Sequence, residues 1–368
     1  MTDGSMNIEA NRSTVFPRAG NEIIPADEAW ITEARSHLDS LTKPIGSLGR
    51  LEDLAARIVA IQQSHVPSVD KKAVFVFAAD HGITVEGVSA YPKAVTEQMV
   101  LNFLRGGAAI NVLAHAAGAE VHIVDVGVDA TFDHAGLISH KVRRGTRNFL
   151  HAPAMSGEEL QAAMDVGSKL AAEANSRGVQ LVAVGEMGIG NTTAASAITA
   201  ALTGQSAARV TGTGTGVTGA AFSHKKQIVA DALTFHFPHY SEELPAALEI
   251  LRCLGGLEIA AICGFVLSAA KHRIAVVIDG FISTAGAAIA CMLKPAARDY
   301  LVAGHTSQEI GHRLLLDFIG IEPLLDLHMR LGEGTGAVLA FNIIDAAVRI
   351  YTEMATFHSA GVSGAIQG

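Results

Sequence analysis

Cysteines, aromatic residues and runs of basic residues are all scarce in this chain, and each shortage excludes a class of protein. Its three cysteines, Cys253, Cys263 and Cys291, lie in apolar surroundings and have no C-x-x-C spacing. An odd number of cysteines in a chain of 368 residues argues against a disulfide framework and favours a reducing compartment. We therefore expect a cytoplasmic protein with free thiols.

No run of lysines or arginines offers a surface for a phosphate backbone. With 27 basic and 36 acidic residues, the formal net charge is −9. The charge pattern therefore argues against nucleic acid as a partner.

The sequence also lacks an uninterrupted hydrophobic run of the length that a membrane span needs. The best candidate, residues 254–270, contains Glu258 and three glycines, which predicts a buried core helix instead. The N-terminal residues are polar and have no apolar segment of the signal-peptide type. Residues 1–20 are expected to form a loose tail.

What the chain does contain is apolar and small. Hydrophobic residues make up 49% and charged residues 17%, which excludes wholesale disorder, and aromatics make up only 5%. Abundant alanine and glycine let helices and strands approach closely. The mean hydropathy of +0.32, without a membrane span, indicates additional burial, most simply in a homo-oligomer.

Short β-branched runs alternate with longer helical patterns along most of the chain. Strands are predicted at residues 73–77, 120–126, 181–184, 209–211, 274–278 and 301–303. Helices are predicted at residues 25–41, 51–61, 95–117 with a break at Gly106, 156–176, 192–202, 223–235, 244–251, 283–293 and 336–358. This alternation predicts an α/β fold: a mostly parallel, Rossmann-like sheet with helices on both faces in three layers.

The two terminal helical regions have no strand partners in this pattern. We expect residues 21–65 and 337–360 to form a small helical domain from both ends of the chain. Residues 66–336 would then form the large α/β domain. Ligands of such sheets bind outside the carboxyl ends of the strands, and the peptides AADHG, GEMGIGNTT, GTGTG, DGF and GHTS all follow predicted strands.

The segment GEMGIGNTT, residues 185–193, is the most informative local feature. Its glycines let backbone N–H groups approach a ligand, and Asn191 and Thr192 can cap the following helix. A helix N-terminus favours an anion such as phosphate. An ordinary capped strand–turn–helix connection explains the same residues.

Two further glycine-rich segments invite comparison. TGTGTG, residues 211–216, is not a Walker A loop, and a flexible loop explains it equally well; Lys225 could neutralise a phosphate nearby. LGEGTG, residues 331–336, places Glu333 between glycines before an apolar helix. Helix capping accounts for Glu333, yet a carboxylate against apolar walls would have a raised pKa suited to general-base chemistry.

Metal and nucleophile signatures are missing. His305 and His312 flank Glu309 in an H-x3-E-x2-H order that matches no recognised ligand spacing, so no metal is expected. No G-x-S-x-G elbow is present, and nothing marks a cysteine nucleophile.

Six segments together resemble the nicotinate-nucleotide–dimethylbenzimidazole phosphoribosyltransferase family. They are TKPIGSLGRLE (42–52), AADHGITVEGVSAYPKAVTEQMV (78–100), GEMGIGNTT (185–193), GGLEIAAICG (255–264), DGFISTAGA (279–287) and MRLGEGTGA (329–337). Each is modest in specificity alone, but six in the same order are highly specific, and the resemblance covers roughly residues 26–360.

The resemblance implies a reaction without a cofactor. The family moves the 5-phosphoribosyl group from nicotinate mononucleotide to 5,6-dimethylbenzimidazole, forming α-ribazole 5′-phosphate and nicotinate with inversion at the anomeric carbon. The cationic pyridinium of the donor leaves as a neutral ring, so one carboxylate base for the acceptor suffices. The resemblance also implies a homodimer.

The resemblance further assigns residues. Glu333 matches the family's base, and Glu186 matches a second acid. Donor and phosphate positions map onto Gly188, Gly190, Asn191, Thr192, Gly214, Gly216, Lys225, Asp279 and Ser307. Acceptor positions map onto Asp80, Tyr91, Gln98, Met99 and Leu331, where Tyr91 departs from the Ser of some members.

Two other functions remain open on the residues alone. A dinucleotide-dependent oxidoreductase would use GTGTG, with Asp231 about 20 residues on as its ribose anchor. A non-catalytic small-molecule binder would need no acid between glycines. Turnover of nicotinate mononucleotide would exclude the non-catalytic binder.

Overall fold

The computed structural model describes residues 22–239 and 245–363, and in them seven strands form one sheet with every neighbouring pair parallel. The order across the sheet is β3-β2-β1-β4-β5-β6-β7. The strands are β1 Lys72–Ala79, β2 Ala119–Gly127, β3 Leu137–Ser139, β4 Leu181–Met187, β5 Ala275–Ile278, β6 Leu301–His305 and β7 Pro323–Leu325.

Helices connect these strands and cover the sheet, which confirms the predicted α/β class. The helices are α1 Glu28–Ser40, α2 Arg50–Gln62, α3 Val95–Leu104, α4 Ala109–Ala116, α5 Gly157–Ser176, α6 Asn191–Thr203, α7 Ala207–Val210, α8 Gly219–His236, α9 Ala247–Leu254, α10 Leu257–Lys271, α11 Phe281–Leu293, α12 Ile310–Ile319, α13 Thr335–Glu353 and α14 Phe357–Ala360. Short 3₁₀ turns occupy Gly82–Glu86 and Pro295–Tyr300.

Central strands buried on both faces consist almost entirely of apolar residues, as parallel strands between two helical layers require. All of β5 is buried, and so is β1 after Lys72. The strand order reverses between β1 and β4, because the chain first builds outward to β3 and then returns to the other side of β1. This reversal opens a crevice at the carboxyl ends of β1 and β4.

Local signals explain several helix boundaries. Ser156 and Glu159 form the predicted capping box of α5, each side chain bonding the other residue's backbone N–H. The Gly106 break separates α3 from α4. Close packing of α5 on α10 depends on glycine: a Cβ at Gly167 would lie 1.8 Å from the carbonyl oxygen of Ala261.

Some expectations were wrong. Residues 209–211, predicted as a strand, include the end of the short helix α7, so GTGTG does not follow a strand. A short β-branched pair was mistaken for a strand there, although Ala207 and Ala208 before it favour a helical turn. The last long helix ends at Glu353 and not near residue 358, and strands β3 and β7 and helix α12 were missed.

The terminal helices pack together as the sequence suggested. Helix α2 contacts both α1 and α13, while α13 also lies against β4, β5 and β6. The division into a small helical and a large α/β domain stays a prediction, and its tail at residues 1–20 lies outside the described residues. Among the described helices, none is long and apolar enough to cross a membrane.

Candidate active site

A cleft of about 700 Å³ opens at the carboxyl edge of the sheet, where the strand order reverses. GEMGIGNTT, DGF and GHTS meet in it after strands, as expected, and GTGTG reaches it after a helix. No residue of the fifth predicted peptide, AADHG, is among those that line the cleft. Its lining residues are Tyr91, Val95, Met99, Glu186, Met187, Gly188, Ile189, Asn191, Thr192, Gly214, Thr215, Gly280, Phe281, Ile282, His305, Ser307, Glu309, Met329, Arg330, Leu331, Gly332 and Glu333. This volume suits a drug-sized ligand.

Glu333 occupies an unusual backbone conformation at the cleft wall. Its φ is +65°, between Gly332 at +88° and Gly334 at +92°. A non-glycine residue rarely adopts this left-handed region. The side chain is buried, and its Oε2 atom has no hydrogen-bond partner among the described residues. Burial raises the pKa of Glu333, a backbone N–H from Ile110 opposes the rise, and the charge of Asp279 adds to it.

Glu186 faces the same cleft from β4. The amide of Asn191 donates a hydrogen bond to its Oε2 atom. A Cβ at Gly332 would lie 2.3 Å from its Oε1 atom, so the glycine makes room for this carboxyl. Burial, and then the nearby carboxylates of Glu258, Asp279 and Glu333, raise the pKa of Glu186 well above its usual value. Both acids therefore hold a proton more firmly than an exposed glutamate does.

The N-terminus of α6 opens onto the cleft at the GEMGIGNTT segment. The expected capping by Asn191 and Thr192 was wrong, because both lie inside the first turn of α6 and Gly190 occupies the N-cap position at φ +96°. Glycine has no side chain to cap the helix, so this anion-favouring end has no side-chain cap in the described part of the chain. Lys225 of α8 is fully buried behind Thr192, and its Nζ donates to the Thr192 hydroxyl at 2.9 Å. Burial lowers the pKa of Lys225 to about 8 despite the opposing charge of Glu309.

Glu309 and Arg330 shape the glycine loop beside this helix end. The Gly214 N–H donates to Glu309 Oε1 at 2.9 Å, and Arg330 donates to the Gly214 carbonyl at 3.0 Å. Glu309 is buried, and burial raises its pKa although Lys225 opposes the rise. The loop is therefore held by charged side chains on both sides.

Sequence reasoning considered Glu309 and His305 only as metal ligands and missed them as cleft residues. The signal was present, because GHTS was recognised as a strand-end peptide and Glu309 follows it. Burial lowers the pKa of His305, but a contact with Asp279 at 3.5 Å outweighs this and the net shift is upward. His312 accepts from the Ser307 N–H at 2.9 Å, and burial lowers the pKa of His312 to about 3, so it stays neutral.

The apolar side of the cleft fits a flat ring. Tyr91 and Leu331 are exposed at its mouth, and Met99 and Phe281 line it further in. Burying such surfaces against an aromatic ligand is favourable.

Several predicted site residues do not line the cleft. Asp80 is buried, and its Oδ2 accepts from the Asp129 N–H at 2.8 Å. Gln98 is exposed on α3 because the following residue, Met99, takes the inward position. Gly216 is exposed.

Three other predicted site residues lie next to the lining residues and contact the segments that carry them. Gly190 shapes the helix cap, Lys225 lies behind Thr192, and Asp279 binds backbone N–H groups of α13. The predicted residues that do line the cleft are Glu333, Glu186, Gly188, Asn191, Thr192, Gly214, Ser307, Tyr91, Met99 and Leu331.

The interpretation as a dinucleotide-dependent oxidoreductase finds little support in this geometry. Within the described ranges, no group of three or more His, Cys, Asp or Glu side chains is arranged to hold a metal ion. The dinucleotide hypothesis needs a strand before GTGTG, where a helix lies. Its ribose anchor, Asp231, is exposed in the middle of α8 and accepts from Gln227.

Comparisons with known proteins show the family to which the chain belongs. Residues 23–362 match a family described as "Phosphoribosyltransferase". A nicotinate-nucleotide–dimethylbenzimidazole phosphoribosyltransferase of Geobacter sulfurreducens is 54% identical over 351 residues, which cover 95% of this chain and 99% of the relative. One of the same name from Chloroflexus aggregans is 53% identical over 344 residues, covering 93% of this chain and 96% of the relative. The crystal structure of CobT from Thermus thermophilus superimposes with a TM-score of 0.87 at 49% identity, covering 91% of this chain and 99% of that chain.

Proposed function

The chain belongs to the nicotinate-nucleotide–dimethylbenzimidazole phosphoribosyltransferases, enzymes of the pentosyltransferase class that serve cobalamin synthesis, and we propose how its residues perform the transfer. The donor is nicotinate mononucleotide and the acceptor is 5,6-dimethylbenzimidazole. The products are α-ribazole 5′-phosphate, nicotinate and a proton, with inversion at the anomeric carbon.

The phosphate of the donor lies at the N-terminus of α6. This assignment is supported by the uncapped helix end at Gly190 and by the buried ammonium of Lys225 behind Thr192. A phosphate there would meet both the helix dipole and the lysine charge. Ser307 and Gly214 line the adjoining wall.

The acceptor ring lies against the apolar mouth formed by Tyr91, Met99 and Leu331. One ring nitrogen attacks the anomeric carbon from the face opposite nicotinate, which gives the inversion. The bond to nicotinate breaks as the new bond forms, and the pyridinium electron pair returns to a neutral ring. This leaving group needs no proton, so the acceptor N–H is the one proton that must be removed.

Glu333 takes that proton. The observation that carries this assignment is its buried carboxylate at the cleft wall, with a raised pKa and an Oε2 atom that finds no partner in the described part of the chain. Such a group is a stronger base than an exposed carboxylate. Burial and the neighbouring carboxylates also raise the pKa of Glu186, the second acid of the same cleft.

Product analysis tests the proposal directly. The enzyme is incubated with nicotinate mononucleotide and a panel of benzimidazole and purine bases, and the products are separated by chromatography. We expect nicotinate and an α-configured ribotide of 5,6-dimethylbenzimidazole in equal amounts. A β-configured product, or release of nicotinate without a new ribotide, would contradict the proposed transfer.

The working unit of the proposal is a homodimer. Support comes from the apolar composition and from Ile310 and Phe318, which leave large apolar side chains exposed on α12. Light scattering should report about 77 kDa, twice the 38.3 kDa of one chain. A fully active monomer at micromolar concentration would contradict this part.

A further inference from the structure

The turn that carries Glu333 has a backbone conformation that is unfavourable for a glutamate. Gly332, Glu333 and Gly334 follow one another at φ +88°, +65° and +92°. Glycine tolerates this left-handed region, but Glu333 has a Cβ that disfavours it. Other parts of the fold must therefore hold the turn in place.

Asp279, directly after β5, supplies the polar anchor. Its Oδ2 accepts from the Gly334 N–H at 3.1 Å, and its Oδ1 accepts from the N–H groups of Gly336 at 2.7 Å and Ala337 at 3.0 Å. These N–H groups belong to the first turn of α13, where a helix has no acceptors of its own. Gly334 occupies the N-cap and has no side chain to serve them. Asp279 is therefore the cap of α13, supplied by a strand far away in the sequence.

Neighbouring strands hold the same turn from the sides. A Cβ at Gly185 of β4 would lie 2.3 Å from the carbonyl carbon of Glu333, so the turn rests directly on that strand. His305 of β6 lies under the start of α13, since a Cβ at Gly336 would lie 1.9 Å from its ring. Packing therefore confines the turn, and the hydrogen bonds of Asp279 fix its orientation relative to α13.

We propose that Asp279 is a positioning residue that locks the Gly332–Gly334 turn and so aims the carboxylate of Glu333 into the cleft. Its three hydrogen bonds to backbone N–H groups engage both of its oxygens, and it does not line the cleft. The family resemblance alone had suggested a donor-binding role for it. The inference rests on the proposed role of Glu333 as the base.

The pH dependence of kcat distinguishes a positioning role of Asp279 from a purely structural one. Glu333 is faced by Asp279 after β5 and by Glu186 of β4, while Glu258 of α10 acts on Glu186 and His305 of β6 contacts Asp279. The negative charge of Asp279 raises the pKa of Glu333. Removing that charge therefore shifts the acid limb of the kcat profile to lower pH.

The test uses Asp279→Asn, Glu333→Gln and the double variant. Asparagine keeps one acceptor oxygen, but the amide nitrogen that replaces Oδ2 cannot accept from the Gly334 N–H, so the turn loosens. We expect kcat to fall about 10- to 100-fold, as for a misplaced catalytic group, with both KM values within about threefold of wild type. The acid limb should shift to lower pH. The double variant should be no slower than Glu333→Gln, because Asp279 acts through Glu333.

Asp125→Asn is the matched control. Asp125 is also buried at a strand end, accepts from the Val128 N–H at 2.9 Å and pairs with Lys141 at 2.6 Å. Its variant should leave the acid limb in place.

Each contrary result has a distinct meaning. A raised KM for nicotinate mononucleotide with kcat preserved in Asp279→Asn would overturn the inference in favour of donor binding, and so would losses that add in the double variant. A Glu333→Gln enzyme that keeps its activity would instead refute the proposed base. Gly334→Ala replaces Asp279→Asn if that variant does not fold, because it strains the same turn. We expect it to lower kcat and to leave both KM values unchanged. A folded Gly334→Ala enzyme with the kcat of wild type would overturn the inference.

Discussion

The buried ammonium of Lys225 predicts a conflict between stability and donor binding. Burial lowers its pKa from 10.5 to about 8. At about 1.4 kcal/mol per pKa unit, burying the charged form costs about 3 kcal/mol. Below pH 8 the lysine is charged in both the folded and the unfolded chain, so this full cost applies. As the pH rises from 8 to 10.5, the folded protein loses its proton first and the cost disappears.

Lys225→Met removes the charge and keeps an unbranched side chain of similar length. The variant also loses the hydrogen bond to Thr192, worth about 1 kcal/mol, so it should be more stable than wild type by about 2 kcal/mol at pH 7. This advantage should vanish near pH 10.5. The KM for nicotinate mononucleotide should rise more than the KM for the base, because the phosphate loses its cation. The wild-type donor KM should itself rise above pH 8, and that rise should be absent from the variant.

The assay is urea unfolding at pH 7 and pH 10 together with initial rates across pH. Lys226→Met is the matched control, since Lys226 is the next residue of α8 and lies over the ring of Phe222 at 4.0 Å. It should change neither the donor KM nor the pH dependence. A Lys225→Met variant that is less stable at pH 7 and binds the donor normally would refute the reasoning, and Lys225 would then be a structural residue.

Three further predictions concern Glu186, the α5–α10 contact and metal dependence. Glu186→Gln should be more stable than wild type at pH 8 but not at pH 4.5. Burial raises the pKa of Glu186 in the folded protein, so the wild type loses stability as the pH rises from the ordinary glutamate pKa towards the raised one. Equal stabilities of the two proteins at both pH values would contradict this. Gly264→Ala should destabilise the fold by several kcal/mol in thermal or urea unfolding, because its Cβ would lie 2.0 Å from the carbonyl oxygen of Met164. A variant within about 0.5 kcal/mol of wild type would show that α5 and α10 separate easily. Activity should survive dialysis against EDTA, and a loss that a divalent ion restores would contradict the metal-free mechanism.

The sheet and most helices were predictable because they depend on local patterns. A buried run such as residues 73–77 has the apolar continuity of a parallel strand, and Ser156 with Glu159 marks a helix start without reference to the rest of the fold. The short strands β3 and β7 have three residues each, too few to show a period. The region of residues 209–211 failed for the same reason, since two β-branched residues cannot distinguish a strand from a helical turn.

Three of the five expected strand-end peptides follow strands and line the cleft, but the contacts within the site could not be predicted from the sequence. Glycines around Glu333 indicated an accessible acid, and the structure places that acid at the cleft. The three bonds of Asp279 to α13 join segments more than 50 residues apart, and no local pattern encodes them. The inward position of Met99 in place of Gln98 depends on the rotation of α3 against the sheet, which a one-residue difference in register decides.

The rate of Glu333→Gln across pH tests the central claim most directly. Glutamine keeps the size of the side chain and removes its basicity. We expect kcat to fall by about 10²- to 10⁴-fold with the fold intact, and the acid limb of the wild-type kcat profile to disappear. A loss below about tenfold, or an acid limb that persists unchanged, would contradict the account and assign the acceptor proton to Glu186 or to solvent.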